Sequence, residues 1–305
     1  MAQAAAQQSG AAPLKIWIQL LKPRVMSLVV LSGFAGLLAA PGDVHPILGF
    51  VAVACIAIGA GAAGAINMWY DRDIDAVMAR TRRRPLVMGQ LPANEALAFG
   101  IILSVLSVMM MGVALNWVAA GLLAFAIGFY VFVYTIWLKR RTPQNIVIGG
   151  AAGAVPPVIG WAAATGDVSL ASLVLFALIF LWTPPHFWAL ALYRTKDYER
   201  AGVPMLPVVA GRAATERQIL YYTLALLPLA PLPTFLGIAG WLYFGVAVVL
   251  GLLYVASSIA ILRDGTDKAA RQSFGFSILY LFVLFALLIV DRAPFVLGGP
   301  GTLLP

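Results

Sequence analysis

Apolar residues run in long blocks separated by short polar links, and nine of the blocks approach the length a helix needs to cross a bilayer. A crossing takes about 20 mostly apolar residues, because the hydrocarbon core is about 30 Å thick and a helix rises about 1.5 Å per residue. The blocks span 25–40, 47–68, 96–115, 117–138, 145–164, 169–192, 218–238, 241–262 and 274–290. This pattern predicts an all-α fold, a polytopic membrane bundle of nine transmembrane helices. One membrane domain is expected over 14–292, with a disordered polar tail at 1–13 and a short outer tail at 293–305.

The links differ by side. Those around Pro41 to His45, Asn116, Thr165 to Val168 and Gly240 are short, whereas the alternate set is long and charged. With a cytoplasmic N-terminus, 19 of the 20 Lys and Arg residues fall on the cytoplasmic face and only Arg292 lies outside. Basic residues are retained on the cytoplasmic side of membrane proteins, so the pattern predicts a cytoplasmic N-terminus and an outer C-terminus. Met1 to Pro13 has neither the basic start and apolar run of a signal peptide nor an Arg-rich transit sequence, in keeping with a disordered cytoplasmic tail. Ile16 to Leu21, with Trp17 and the flanking Lys15, Lys22 and Arg24, has the makeup of an interfacial segment.

Composition agrees. Hydrophobic residues make up 62% and charged residues 10%, against about 25% charged in soluble domains. The net charge of +8 follows from orientation in the membrane and calls for no nucleic-acid partner. The single Cys55 lies within the second block, so no intramolecular disulfide is possible. Gly59, Gly61 and Gly64, and Gly149 with Gly153, allow helices to approach closely. Pro156-Pro157 and Pro184-Pro185 fall inside blocks and are expected to bend them.

Charge is densest from Asn67 to Pro85, where three Asp and five Arg follow the second block. At about 100° per residue, Asn67, Asp71 and Asp75 share one strip of a helix, and Asp73 points away. Two carboxylates and an amide oxygen on adjacent turns are hard ligands suited to Mg²⁺, which binds through one or two carboxylates and a substrate's phosphates. Arg72, Arg80 and Arg82 to Arg84 are near enough to meet phosphate charge. As an ordinary loop, the same stretch would pair acids with arginines and enforce topology. A second mixed-charge link, Arg194 to Arg217, follows the sixth block four helices later and hints at an internal duplication.

NxxxDxxxD after the second of nine blocks resembles the first aspartate-rich motif of the UbiA-type intramembrane prenyltransferases. The longer strings NMWYDRDIDAVMARTRRRPL, YTIWLKRRTPQNIVIGG and TPPHFWALALYRTKDYERAGVPMLPVV are similar to the haem-modifying branch of that superfamily, and the resemblance spans nearly the whole membrane domain. It implies farnesyl diphosphate as donor, protohaem as acceptor, Mg²⁺ as the metal, and haem as a substrate with no permanent place in the protein. A haem A synthase or a terminal-oxidase assembly factor is the protein partner it implies.

Carried over by position, Asn67, Asp71 and Asp75 would hold Mg²⁺ and diphosphate, with Arg72, Arg80 and Arg84 as charge partners and Lys139 and Arg140 approaching the diphosphate. The superfamily's second motif, DxxxD, is interrupted by Tyr193, so only Asp197 remains as a ligand, with Lys196 beside it. Whether one or two Mg²⁺ bind stays open. His186, in the sixth block beside Trp182 and Phe187, is a candidate haem contact or a core imidazole bonded across the bundle. His45, in an outer link, carries no functional expectation. Two other readings stand: a UbiA-type enzyme acting on an aromatic acid or quinone precursor would require the interrupted second motif, and a secondary transporter would place charge near mid-membrane.

Overall fold

The computed structural model describes residues 12–296, and every regular element among them is a helix. Most of the expected tails, residues 1–11 and 297–305, lie outside the described residues. The interfacial segment forms α1 (Leu14–Leu20), which meets α2 (Pro23–Ala39) at 64°. Then come α3 (Pro46–Tyr70), the short α4 (Arg72–Val77), α5 (Ala93–Ala114) and α6 (Trp117–Gly128), which continues as a π-helix over Phe129–Leu138. Pro156 divides the fifth block into α7 (Asn145–Ala154) and α8 (Pro156–Thr165), and α9 (Leu170–Leu192) keeps Pro184 and Pro185 in its interior. The remainder are α10 (Thr195–Arg200), α11 (Leu206–Val209), α12 (Gly211–Leu229), α13 (Leu232–Phe235), α14 (Trp241–Asp264) and α15 (Asp267–Val296).

Among the described residues, seven helices are long and apolar enough to cross a membrane, or eight if the bent pair of α1 and α2 counts as one. The block at 218–238 is absent from that set for a physical reason. Its helix begins seven residues earlier, at Gly211, and takes in Arg212, Glu216 and Arg217. It ends at Leu229, and Pro231 then caps the short α13, which carries Pro233 in its first turn.

Missing side chains set the closest crossings. A Cβ on Gly36 would lie 2.0 Å from the Pro157 carbonyl oxygen, and one on Gly160 2.0 Å from that of Gly33, so α2 and α8 touch backbone to backbone. Gly100 of α5 leaves the same kind of room for Ile66 of α3. Of the glycines singled out by sequence, Gly59 admits Leu123, Gly61 admits Leu21 and Gly149 admits the Tyr134 ring, whereas Gly153 faces open space.

Helix starts are closed by side chains, since the first amides of a helix have no partner within it. Asn116 accepts from Ala119 N and donates to the Ala162 carbonyl, tying α6 to α8. Ser169 and Ser172 form a capping box on α9. His45 accepts from Ile47 N, which gives this histidine a capping role. Asp291, near the end of α15, accepts from Gly240 N at 2.5 Å and holds the start of α14.

The two charged links end up in one place. Ile74 and Met78 of the first pack in a single buried cluster with Tyr198, Val203 and Met205 of the second, together with Trp188 and Leu192 from the end of α9. Each link repeats one design, a long helix followed by a turn and a six-residue helix.

Candidate active site

The strip predicted from spacing survives a break in its helix. α3 ends at Tyr70 and α4 begins at Arg72, yet Asp71 N bonds to the Asn67 carbonyl (3.0 Å) and Asp75 N to that of Asp71 (2.8 Å). The i to i−4 pattern therefore runs through the junction and keeps the three side chains in line. All three are buried, with Asp71 at 0% exposure. Asn67 Nδ2 donates to Asp71 Oδ2 (2.7 Å) and Thr135 Oγ1 (3.1 Å).

A basic group meets each member of the strip. Lys139 donates to Asp71 Oδ2, Arg84 Nη1 lies 2.5 Å from Asp75 Oδ2, and Lys22 Nζ donates to Asn67 Oδ1 at 2.8 Å. Lys139 closes the π-helix, bonding its amide to the carbonyl of Tyr134 five residues back. This wide turn also carries Thr135, whose hydroxyl donates to the Tyr130 carbonyl. From the sequence Lys22 is only a basic flank of the interfacial segment, with no place in the site. It caps α2 with φ 53° and ψ 55°, the one non-glycine residue with positive φ among those described, and its stem passes Gly64 of α3. A side chain in that conformation costs on the order of 1–2 kcal/mol, so tertiary contacts must hold it there.

Arg140 grips Asp73 with both terminal nitrogens at 2.7 Å, lies 4.9 Å from the Tyr70 ring centroid, and comes within 3.5 Å of Asp71 Oδ1. That guanidinium holds the Asp73 carboxyl at a pKa of about 2. Arg72 turns outward, donating to the Trp69 carbonyl (2.7 Å), and Arg80 is exposed. Neither is brought to the aspartates among the described contacts. Trp69, Tyr70, Arg72, Asp73 and Arg140 line a shallow cavity of about 350 Å³ beside the strip.

In the second link Asp197 is buried, and Arg200 Nη2 lies 2.5 Å from its Oδ1, with Arg194 Nη1 3.9 Å from its Oδ2. Lys196 is exposed. Tyr193, where the interrupted motif would place an acid, presents its ring to two guanidiniums, Arg271 at 5.2 Å and Arg194 at 5.7 Å. Arg271 is a second residue that sequence reasoning missed, since it arrives from α15.

His186 stacks between Trp182 (4.2 Å) and Phe274 (4.6 Å). Ser277 donates its hydroxyl to the Phe274 carbonyl (2.7 Å), so its oxygen accepts from His186 Nδ1, 2.6 Å away. A neutral imidazole has one N–H, which this bond places on Nδ1, leaving the lone pair on Nε2.

The donor set fits Mg²⁺. Asp71 Oδ1 is buried with no hydrogen bond among the described residues and only the Arg140 guanidinium 3.5 Å away, so it keeps acceptor capacity for a metal. No three His, Cys, Asp or Glu side chains converge among those residues, so a divalent ion here would rely on the Asn67 amide and on substrate oxygens. That ligand shortage suits Mg²⁺ bound together with a phosphate.

The profile of the UbiA prenyltransferase family matches residues 28–290. The chain is 59% identical to a protoheme IX farnesyltransferase of Parvibaculum lavamentivorans over 98% of this chain and 94% of that one. It is 61% identical to a protoheme IX farnesyltransferase of Acidiphilium cryptum, covering 90% of each. A solved digeranylgeranylglyceryl phosphate synthase superposes with a TM-score of 0.76 at 19% identity, over 92% of this chain and 98% of that one. A UbiA homologue from Archaeoglobus fulgidus bound to GPP and Mg²⁺ superposes with a TM-score of 0.66 at 18% identity, over 90% and 99%.

Proposed function

We propose, from the premise that this chain belongs to the UbiA prenyltransferase family, that it transfers a farnesyl group from farnesyl diphosphate to a vinyl group of protohaem. Identity near 60% to protoheme IX farnesyltransferases supports this pair of substrates. The observation that carries it is the buried row of Asn67, Asp71 and Asp75, edged by Lys139 and Arg84 and offering Asp71 Oδ1 without a hydrogen bond.

Asn67, Asp71 and Asp75 would hold Mg²⁺, and Asp197 is the candidate for a further ligand. When bound, the metal supplies neutralisation of the charge that builds on the departing diphosphate. Lys139, Arg84 and Arg140 stand where they would receive the remaining phosphate charge, and preorganised cations of this kind lower the barrier because they need not reorganise as charge develops. The allylic carbon–oxygen bond breaks with its electron pair leaving on diphosphate. The vinyl π electrons then close on the allylic carbon, and water adds to the resulting cation and loses a proton. The apolar wall of the bundle keeps water from the first cation until carbon has attacked. His186, flanked by two flat rings and presenting Nε2, is the proposed protohaem contact.

The orientation proposed is nine spans, N-terminus in the cytoplasm and C-terminus outside, supported by the charge bias, in a bacterial inner membrane. A haem A synthase or terminal-oxidase assembly factor is the partner class such a product calls for.

The test is incubation of purified protein with farnesyl diphosphate, Mg²⁺ and haem, followed by mass analysis. Haem heavier by one farnesyl group and one hydroxyl group is expected. Unmodified haem, beside a prenylated aromatic acid in a parallel assay, would overturn the reading.

A further inference from the structure

Lys22 has been given no role so far, and its placement is unusual on four independent counts. It joins α1 to α2 in a left-handed backbone conformation with a proline next in the chain. Its amide bonds to the Gln19 carbonyl at the end of α1, and its carbonyl accepts from Val25 and Met26 at the start of α2, so the geometry is held from both sides. Gly64 leaves space on α3 for its stem, with Lys22 Cδ 3.5 Å from where a Cβ would lie. Its ammonium then bonds the one oxygen of Asn67 that a metal would use, 45 residues away in sequence.

Lys22, Lys139, Arg84 and Arg140 surround Asp71, Asp73, Asp75 and the Asn67 amide, four cations against three carboxylates, and every member of the strip is already engaged by a cation. A divalent ion arriving alone would have to displace Lys22 from Asn67 and would add two positive charges to a cluster already positive by one. An ion arriving with a diphosphate brings compensating negative charge, and the same phosphate oxygens give the displaced ammonium a new partner. Coulomb repulsion in a buried site is weakly screened, so the difference between these two arrivals is large.

We propose that Lys22 is a donor-site residue that occupies Asn67 in the resting state and moves onto diphosphate as the metal takes its place, so that the site accepts the metal only together with its diphosphate. This rests on the diphosphate-binding role given above to Asn67, Asp71 and Asp75. Lys22 sets the order of binding as well as contributing to affinity, which separates it from a lysine that merely flanks the membrane.

The test measures two quantities on the purified full chain, for wild type, Lys22→Met and Lys22→Gln. One is binding of Mn²⁺ alone, from loss of the free-ion electron paramagnetic resonance signal. The other is the concentration of inorganic pyrophosphate needed, at saturating Mg²⁺, to raise the unfolding temperature. Replacing Lys22 should move them in opposite directions, with Mn²⁺ alone binding several-fold more tightly and pyrophosphate required at roughly tenfold higher concentration, the loss of one charge-assisted hydrogen bond. Lys22→Arg should restore the pyrophosphate response. A purely structural lysine would weaken both, or neither, and either result overturns the proposal even where one variant folds poorly. Wild-type protein that shows no response to Mg²⁺ with pyrophosphate would overturn the donor-site reading itself, and Asp71→Asn supplies the reference for that outcome.

Discussion

Arg84 reaches back nine residues to Asp75, its Nη1 2.5 Å from Oδ2 of a carboxylate only 3% exposed. The bond folds the arginine-rich link over the end of α4, and Thr81 fixes the same turn by donating to the Asp75 carbonyl. Removing one partner of a buried ion pair strands the other charge, at a cost of about 3–5 kcal/mol. Arg84→Met is therefore expected to lower the unfolding temperature and to raise KM for farnesyl diphosphate. Arg84→Lys should recover much of the first effect and less of the second, because the planar fork is lost. Thermal unfolding in detergent and steady-state kinetics check both.

Asp71→Ala and Asp75→Ala are each expected to reduce prenyl transfer by about 10²-fold or more, the usual scale for removing one element of charge stabilisation in a transition state. Membrane insertion should be unchanged, because orientation is set by Lys and Arg and owes little to acids. Turnover within a few-fold of wild type in either variant, at equal membrane content, would sink the metal-site assignment.

Asp73 makes a contrasting case within the same helix. Its side chain is 61% exposed and its partner is Arg140, so Asp73→Asn should leave turnover within a few-fold. The folded protein holds its carboxyl at about 2, below the ordinary carboxylate value. Its stabilising contribution is therefore complete above about pH 4 and fades only as pH falls toward 2. Between pH 5 and 8 the rate profile of Asp73→Asn should parallel that of wild type, as a pH series of initial rates would show.

His186→Ala is expected to weaken haem binding by roughly tenfold, since it removes the Nε2 lone pair, while loss of the stacks on Trp182 and Phe274, worth about 0.5–1.5 kcal/mol each, loosens the wall that carries it. His186→Phe keeps the stacks without the lone pair. A haem titration in which Phe matches wild type would assign the contribution to stacking alone, and an unchanged Ala variant would return His186 to packing.

Gly160→Leu should prevent α2 and α8 from meeting, because even a methyl group there would sit 2.0 Å from the Gly33 carbonyl oxygen. Overpacking costs about 1–3 kcal/mol when neighbours can yield, and backbone cannot yield as side chains do. Loss of monodisperse protein on size-exclusion chromatography is the expected result, whereas Gly153→Leu, facing open space, should behave as wild type.

Local pattern carried the sequence reading as far as it went. Asn67, Asp71 and Asp75 were legible because a four-residue spacing maps directly onto a helix face, and the map held although the helix is interrupted at Asp71. Long apolar helices were legible for the same reason. The helix from Gly211 was not, because its polar first turns blur its start and Pro231 ends it early. Lys22, Thr135 and Arg271 were invisible for a different reason: each reaches its partner from 45 to 78 residues away, and a lysine before a proline looks like any positive flank of a span. The outward turn of Arg72 was equally hidden, since stacking on Trp69 competes with an aspartate that spacing alone would favour.

The π-helix at Phe129–Leu138 makes chain length an active-site variable. Its hydrogen bonds close over five residues where an α-helix closes over four, so the same stretch turns less per residue. Removing one residue there would let the segment relax toward α-helix and swing Lys139 by about 100° around the axis. Every side chain of the site would still be encoded, and Asp71 would nonetheless lose its ammonium. In this enzyme the number of residues between Gly128 and Lys139 is as much a part of the site as the lysine itself.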